Sequence, residues 1–99
     1  MVDVKEFWQQ ILLRLYPTIR HDQFITWFAD TAILRIDKGI LVIGIPNQYA
    51  FNWISQHYRD CILEFAKALD NTMNDVSFVV ESSLANPDDG RKVFLSSII

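Results

Sequence analysis

The chain has few of the residues that build disulfides, phosphate loops or membrane spans. Its 99 residues include one cysteine and three glycines, so an internal disulfide and a Gly-rich phosphate loop are both excluded. The longest apolar run, from Gly39 to Pro46, is far shorter than the roughly 20 residues that a spanning helix needs. Cys61 fits a reducing compartment, and Asp3 and Glu6 stand where a signal peptide carries positive charge. We therefore predict a soluble, cytoplasmic protein.

Positive charge is also scarce. Nine Lys and Arg residues face twelve Asp and Glu residues, which gives a formal net charge of -3. Tight non-specific binding to nucleic acid is therefore not expected, although a local basic patch stays open. Because 51% of the residues are hydrophobic and 21% are charged, a disordered chain is excluded. The length predicts one ordinary domain with a single core.

Helical periodicity dominates the first part of the chain. Between Asp3 and Tyr16, apolar residues recur at three- and four-residue steps, and Asp3 with Glu6 resembles a capping box. Pro17 ends this helix, and Thr18 is the predicted N-cap of a second one. The apolar faces of the two helices are Val4, Phe7, Trp8, Ile11 and Leu15, then Phe24, Trp27 and Phe28.

The pattern then alternates and predicts strands. Ala32 to Ile45 reads as a hairpin whose loop places Gly39 in the left-handed conformation. Asn47 to about Asn71 is predicted as one long helix with Asn47 as N-cap, and Val76 to Val80 as a third strand paired with the hairpin. The prediction is an α+β fold of order ααββαβ, with three helices and a small three-stranded sheet.

The last residues differ in composition from the rest. Turn-forming residues from Asn86 to Gly90 precede a short apolar stretch that no part of the predicted core requires. We therefore expect residues 1–83 to form the domain. Residues 84–99 would then be the start of a linker or the cut end of a longer chain.

One aromatic residue of the long predicted helix falls outside its core face. At about 100° per residue, Tyr49 lies nearly opposite the apolar stripe, while Trp53 lies on its border. A lone surface tyrosine often has no role, whereas an exposed aromatic in a helix's first turn is a modest indication of a binding site. The sequence alone does not decide whether Tyr49 is a surface residue without a role or part of a binding site. The predicted stripe is Ala50, Phe51, Ile54, Tyr58, Cys61, Ile62, Phe65 and Leu69.

No group of residues predicts catalysis. His57 and Cys61 lie four positions apart and could form a thiol with its base, or two metal ligands. A zinc site needs more ligands, and the only other histidine is His21, so packing near the core is the favoured interpretation. Ser55 lacks a G-x-S-x-G elbow. We predict no enzyme activity, no metal and no cofactor in this chain.

Four segments together resemble the N-terminal domain of the bacterial replication initiator DnaA. They are FWQQILLRL in the first helix, FITWF in the second, PNQYAFNWI from strand to helix, and the strand VSFVV. The resemblance covers about residues 4–81, and PNQYAFNWI is its most specific part. It implies a compact K-homology-like fold that acts as an assembly hub without catalytic activity.

The resemblance also implies partners and site residues. In this family the domain self-associates at the origin, contacts the replicative helicase DnaB and docks regulators of the DiaA or HobA kind. By position, Trp8 matches the self-association tryptophan and Tyr49 the helicase-contacting aromatic, while Gln23 matches a position that can hold a helicase-contacting Glu. We expect Trp8 to be partly exposed and to form a weak dimerisation patch with Leu12, although a packed core Trp is the alternative. ATP and most origin DNA contacts would belong to later domains, and no membrane contact is expected.

Two other functions stay open. The first is a K-homology-like module with weak single-stranded nucleic-acid binding, to which Arg20, Arg35 and Lys38 could contribute, although the G-x-x-G loop of such modules is absent. The second is a stand-alone regulator that borrows the domain. Salt separates nucleic-acid binding from protein binding, because phosphate-driven affinity falls steeply with ionic strength.

Overall fold

A computed structural model describes residues 3–86, 90–93 and 95 of the chain. Across these residues the fold is α+β, as predicted, with four α-helices and one three-stranded sheet. The elements are α1 (Val4–Leu15), α2 (His21–Phe28), β1 (Ala32–Asp37), β2 (Ile40–Ile45), α3 (Gln48–His57), α4 (Arg59–Leu69) and β3 (Asp75–Val80). Short 3₁₀ turns lie at Tyr16–Thr18 and Ser82–Ala85.

The starts of α1 and α3 are capped by the side chains that the sequence predicts. The Asp3 carboxylate accepts hydrogen bonds from the backbone N–H groups of Lys5 and Glu6 at 3.0 and 3.3 Å. The side-chain oxygen of Asn47 accepts one from the N–H of Ala50 at 2.8 Å. Each cap satisfies backbone donors that have no partner within the helix.

Thr18 does not cap α2, so that prediction is wrong. Its hydroxyl donates to the Leu15 carbonyl at 2.7 Å and thus belongs to the end of α1. The residue before α2 is Arg20, and its side chain makes no capping hydrogen bond. The helix must therefore be stabilised by its packing rather than by its first turn.

The sheet has the order β1–β2–β3, with β1 and β2 antiparallel and β2 and β3 parallel. Lys38 and Gly39 close the hairpin with φ of 52° and 81°, so the predicted left-handed glycine is confirmed. The helices α3 and α4 form the crossover that a parallel pair requires. Ile45 lies opposite Val80, which confirms the predicted pairing of the hairpin with the third strand.

The core fills the space between the helices and one face of the sheet. Along β2, Leu41, Ile43 and Ile45 point to this face and are fully buried. They pack with apolar side chains from all four helices in one cluster. The predicted apolar faces of the first two helices supply much of it, since Phe7, Trp8, Ile11, Leu15, Phe24, Trp27 and Phe28 are all buried.

Trp8 and Leu12 differ most from the expectation of an exposed dimerisation patch. Both are 0% exposed, so the predicted partial exposure of Trp8 is wrong. The indole N–H of Trp8 donates to the Thr31 hydroxyl at 3.1 Å, and its ring packs on Phe28 with centroids 6.4 Å apart. Because α1 packs against β1, the stripe that carries Trp8 is covered by the rest of the fold. The exposed leucine of α1 is Leu13 instead.

The long predicted helix is divided in two. Tyr58 has φ -121° and ψ -3°, which are not helical angles, and it separates α3 from α4. The break shifts the phase of the buried face, so Cys61 is exposed while Ala66 is fully buried. Ile62 is buried, as predicted. Neither α3 nor α4, nor another helix among the described residues, is long and apolar enough to cross a membrane.

Some of the described residues after position 83 pack on the same fold. Leu84 is fully buried, and a Cβ added at Gly44 would lie 2.7 Å from its Cδ1, so Leu84 covers the second face of the sheet. Val93 belongs to the core cluster, so the expectation that no core requires the last apolar stretch is wrong for this residue. Residues 87–89, 94 and 96–99 of the predicted linker lie outside the described residues. The boundary at residue 83 stays a prediction.

Candidate protein-interaction surface

Four rings from α2 and α3 form one continuous row, which we call the aromatic array: Trp27, Tyr49, Trp53 and His57. Trp27 and Trp53 stack with ring centroids 4.9 Å apart and planes 10° apart. Tyr49 packs on Trp27 at 5.2 Å, and His57 packs on Trp53 at 4.2 Å. Trp27 is thus in contact with both Tyr49 and Trp53, and it joins the two helices.

The rings of the array differ in their exposure to solvent. Trp27 is only 5% exposed, whereas Trp53 is 37% and Tyr49 is 73% exposed. The prediction that Tyr49 lies outside the core is therefore confirmed. Its ring nevertheless does not stand alone on the surface, because one side of it packs on a buried tryptophan.

Gln23 is joined to the same array. The indole N–H of Trp27 donates to the side-chain oxygen of Gln23 at 2.9 Å. This bond satisfies the one polar atom of a nearly buried indole and orients the exposed Gln23 amide. The fold thus brings together the two predicted partner-binding residues, Gln23 and Tyr49, and each contacts Trp27.

Uncharged polar side chains flank Tyr49 along α3. The Gln48 amide donates to the Asn52 side-chain oxygen at 2.8 Å, on either side of the tyrosine in sequence. Asn47 fixes the first turn of the helix two residues before Tyr49. The surface around the ring therefore offers hydrogen-bonding groups without the desolvation cost of full charges.

His57 and Cys61 lie on separate helices, α3 and α4, and His57 packs on Trp53. Cys61 is exposed, so the predicted packing near the core is wrong for this residue. Among the residues that the structure describes, no group of three or more His, Cys, Asp or Glu side chains could hold a metal ion. Within the same residues, no buried side-chain nitrogen or oxygen lacks a hydrogen-bond partner.

The basic residues considered for nucleic-acid binding come from two parts of the fold, the start of α2 and the β1–β2 hairpin. Arg20 precedes α2 and forms an exposed ion pair with Asp22 at 3.4 Å. Arg35 lies in β1, and Lys38 lies in the hairpin turn. The acid beside Arg20 offsets the positive charge that this residue offers to a phosphate.

The sequence-based prediction placed Trp27 in the core and did not include it in a binding surface, although the spacing of the aromatic residues indicates the array. Tyr49, Trp53 and His57 follow one another at four-residue steps, as do Gln23 and Trp27, and this spacing places side chains on one helical face. Each helix thus carries its own row. Only the packing of α2 against α3 joins the two rows into one surface.

Comparison with known families agrees with this geometry. A family model described as the DnaA N-terminal domain matches residues 5–68. The matched range runs from α1 into α4 and includes the whole aromatic array and Gln23. Because this range is well over half of the 99 residues, the chain belongs to the DnaA N-terminal domain family.

Proposed function

We propose that this domain is the protein-interaction module of a chromosomal replication initiator, and that the aromatic array docks the replicative helicase DnaB and regulators of the DiaA or HobA kind. The observation that supports the array as the docking site is the exposed Tyr49 ring packed on a buried Trp27. Residues that dominate protein interfaces are typically aromatic and held in place before binding. ATP binding and the main origin DNA contacts are proposed for later domains, and no catalysis for this one.

The order of the array favours binding. Rings that are already stacked lose little conformational freedom when a partner covers them, so more of the contact energy appears as affinity. Tyr49 and Trp53 offer large apolar faces, and Gln23 offers an oriented amide beside them. A partner would therefore insert apolar side chains and form a few neutral hydrogen bonds, and its affinity would depend weakly on salt.

Self-association is part of the proposed function, and it is expected to be weak. A standard interface buries about 800 Å² on each partner. With Trp8 and Leu12 buried, the exposed apolar group on α1 is Leu13, which offers only a small part of that area. The isolated domain should therefore be mainly monomeric at low concentration in sedimentation experiments.

The test compares two residues of α3 that have opposite environments. Tyr49→Ala removes an exposed ring, so we expect a loss of about 1–3 kcal/mol of binding with a change of no more than about 0.5 kcal/mol in folding stability. Ile54→Ala, the matched control, removes a fully buried side chain and should cost about 2–5 kcal/mol of stability. Isothermal titration with the helicase's N-terminal region and urea denaturation measure both quantities.

A folded Tyr49→Ala protein that binds every candidate partner as the parent does would refute the docking role of the array. The alternative function, weak single-stranded nucleic-acid binding, is separated in the same titrations by varying the salt. An affinity that falls steeply with salt and is lost in Arg35→Ala and Lys38→Ala would favour that alternative. The net charge of -3 argues against it.

A further inference from the structure

The described residues 90–93 and 95, which we call the strap, are anchored to the domain by a buried charge. The Lys92 side chain is 8% exposed, and its ammonium donates to the Asp30 carboxylate at 2.7 Å. The neighbouring Val93 is buried in the core cluster. Because lysine is almost never buried without a partner, the Asp30 carboxylate compensates the burial of the Lys92 ammonium.

The strap attaches at the end of α2. Asp30 lies two residues after the last residue of this helix and has a φ of 63°, a left-handed conformation that Asp tolerates better than most residues. Ala29, Lys92, Val93 and Leu95 line one small cavity of about 180 Å³ together with Asp30. The strap therefore lies against the two residues that directly follow α2, and Trp27 is in the last turn of this helix.

Besides the core packing of Phe24, Trp27 and Phe28, the helix α2 has contacts at its two ends. It has eight residues, which is too few for a stable isolated helix, and its first turn has no side-chain cap. At its start, the Tyr16 hydroxyl and the His21 Nδ1 form a hydrogen bond of 3.1 Å. At its end lies the ion pair of Asp30 with Lys92. Trp27, the middle ring of the aromatic array, is between these two attachments.

We propose that the strap is a releasable clamp on the end of α2 that sets the order of Trp27 and thereby the affinity of the aromatic array for its protein partner. This proposal rests on the docking function proposed above. With the strap docked, the last turn of α2 is ordered and the rings are stacked before binding. With the strap released, the last turn frays, and the partner has to order it at a cost in affinity. By linkage, a bound partner also favours the docked strap.

Two variants release and restore the clamp. Asp30→Asn keeps a side chain that tolerates the left-handed backbone but leaves the buried Lys92 without a carboxylate, so the strap should undock. Adding Lys92→Met removes the second charge, and the flexible apolar chain of methionine can fill the same space, so the strap should dock again. Asp22→Asn is the matched control, because it also removes one carboxylate charge, but from an exposed ion pair with Arg20 at the start of α2.

Docking of the strap is measured by tryptic cleavage of the bond between residues 91 and 92. Arg91 supplies this cleavage site in every variant, and mass spectrometry identifies the product. Each rate is divided by that of a peptide of residues 86–99 with the same substitution. We expect cleavage about tenfold faster in Asp30→Asn, and rates close to the parent in Asp22→Asn and in the double variant. Equal rates in Asp30→Asn and the parent would overturn the clamp.

The coupling to the array is measured by circular dichroism and by binding. The stacked indoles of Trp27 and Trp53 couple their electronic transitions and give a paired far-ultraviolet signal, which should decrease in Asp30→Asn and return in the double variant. Affinity for the helicase's N-terminal region should fall about fivefold in Asp30→Asn. A released strap with an unchanged indole signal would overturn the proposal. If Tyr49→Ala binds normally, the docking function fails instead, and cleavage and the indole signal still decide whether the strap orders Trp27.

Discussion

Replacing Trp8 by alanine should weaken the fold rather than an interface. The side chain is fully buried, its ring packs on Phe28, and its indole N–H donates to Thr31. Deleting a buried tryptophan typically costs about 3–5 kcal/mol. A domain of this size has a total stability of only about 5–15 kcal/mol, so the loss is a large part of it.

The expected loss is large enough for routine measurement. At about 4–8 °C for each kcal/mol in a domain of this length, Trp8→Ala should lower the melting temperature by about 12–40 °C. Urea denaturation followed by circular dichroism gives the free energy of unfolding, and sedimentation gives the oligomeric state. We expect a strongly destabilised protein whose folded fraction associates no differently from the parent.

The hydrogen bond can be separated from the ring packing. Trp8→Phe removes the indole N–H but leaves Thr31 with its bond to the Phe28 carbonyl at 2.7 Å, so no buried polar group loses all its partners. Thr31→Val leaves the buried indole N–H of Trp8 without an acceptor, which lowers the free energy of unfolding by about 1–3 kcal/mol. The double variant should therefore be more stable than the sum of the two losses predicts.

One result would refute this account of Trp8. If Trp8→Ala unfolds at the same urea concentration as the parent and differs only in its dimerisation, the side chain is at the surface in solution. The self-association role implied by the family resemblance would then hold for this residue.

Three further changes test local features of the fold. Gly39→Ala should lose about 1–3 kcal/mol in urea denaturation, because φ is 81° and the new Cβ would lie 2.7 Å from the Thr72 carbonyl oxygen; an unchanged midpoint would contradict the turn. Asn47→Ala should lose about 0.5–2 kcal/mol and Asn47→Ser much less, and equal losses would show that the cap does not matter. Hydrogen bonds from the Thr72 hydroxyl and backbone N–H lower the pKa of Asp70, so Thr72→Val should raise this pKa in an NMR titration. A carboxyl group whose pKa is lower in the folded than in the unfolded state stabilises the fold at pH values above the unfolded pKa. This stabilisation disappears as the pH falls through the folded pKa, so the stability difference between parent and variant should shrink in acid.

The sequence by itself determined most of the local structure. The caps at Asp3 and Asn47 and the left-handed Gly39 depend on residues within a few positions of one another, so their patterns could be recognised without a fold. Periodicity also gave the direction of Tyr49 correctly, because the angle between side chains on a helix follows from their spacing. The order of helices and strands came from the same short-range information, apart from the break at Tyr58.

The tertiary structure alone decided what lies against each side chain. Periodicity placed Trp8 on the apolar stripe, but only the packing of α1 against β1 made it fully buried. The break at Tyr58 rotated the face of α4 and exposed Cys61, which a single continuous helix had placed in the core. The rows on α2 and α3 form one array only because Trp27 packs on Tyr49 and Trp53. Lys92 pairs with Asp30, which lies 62 positions away in the sequence. Contacts of this kind join distant parts of the chain, and spacing within one segment carries no information about the segment that will cover it.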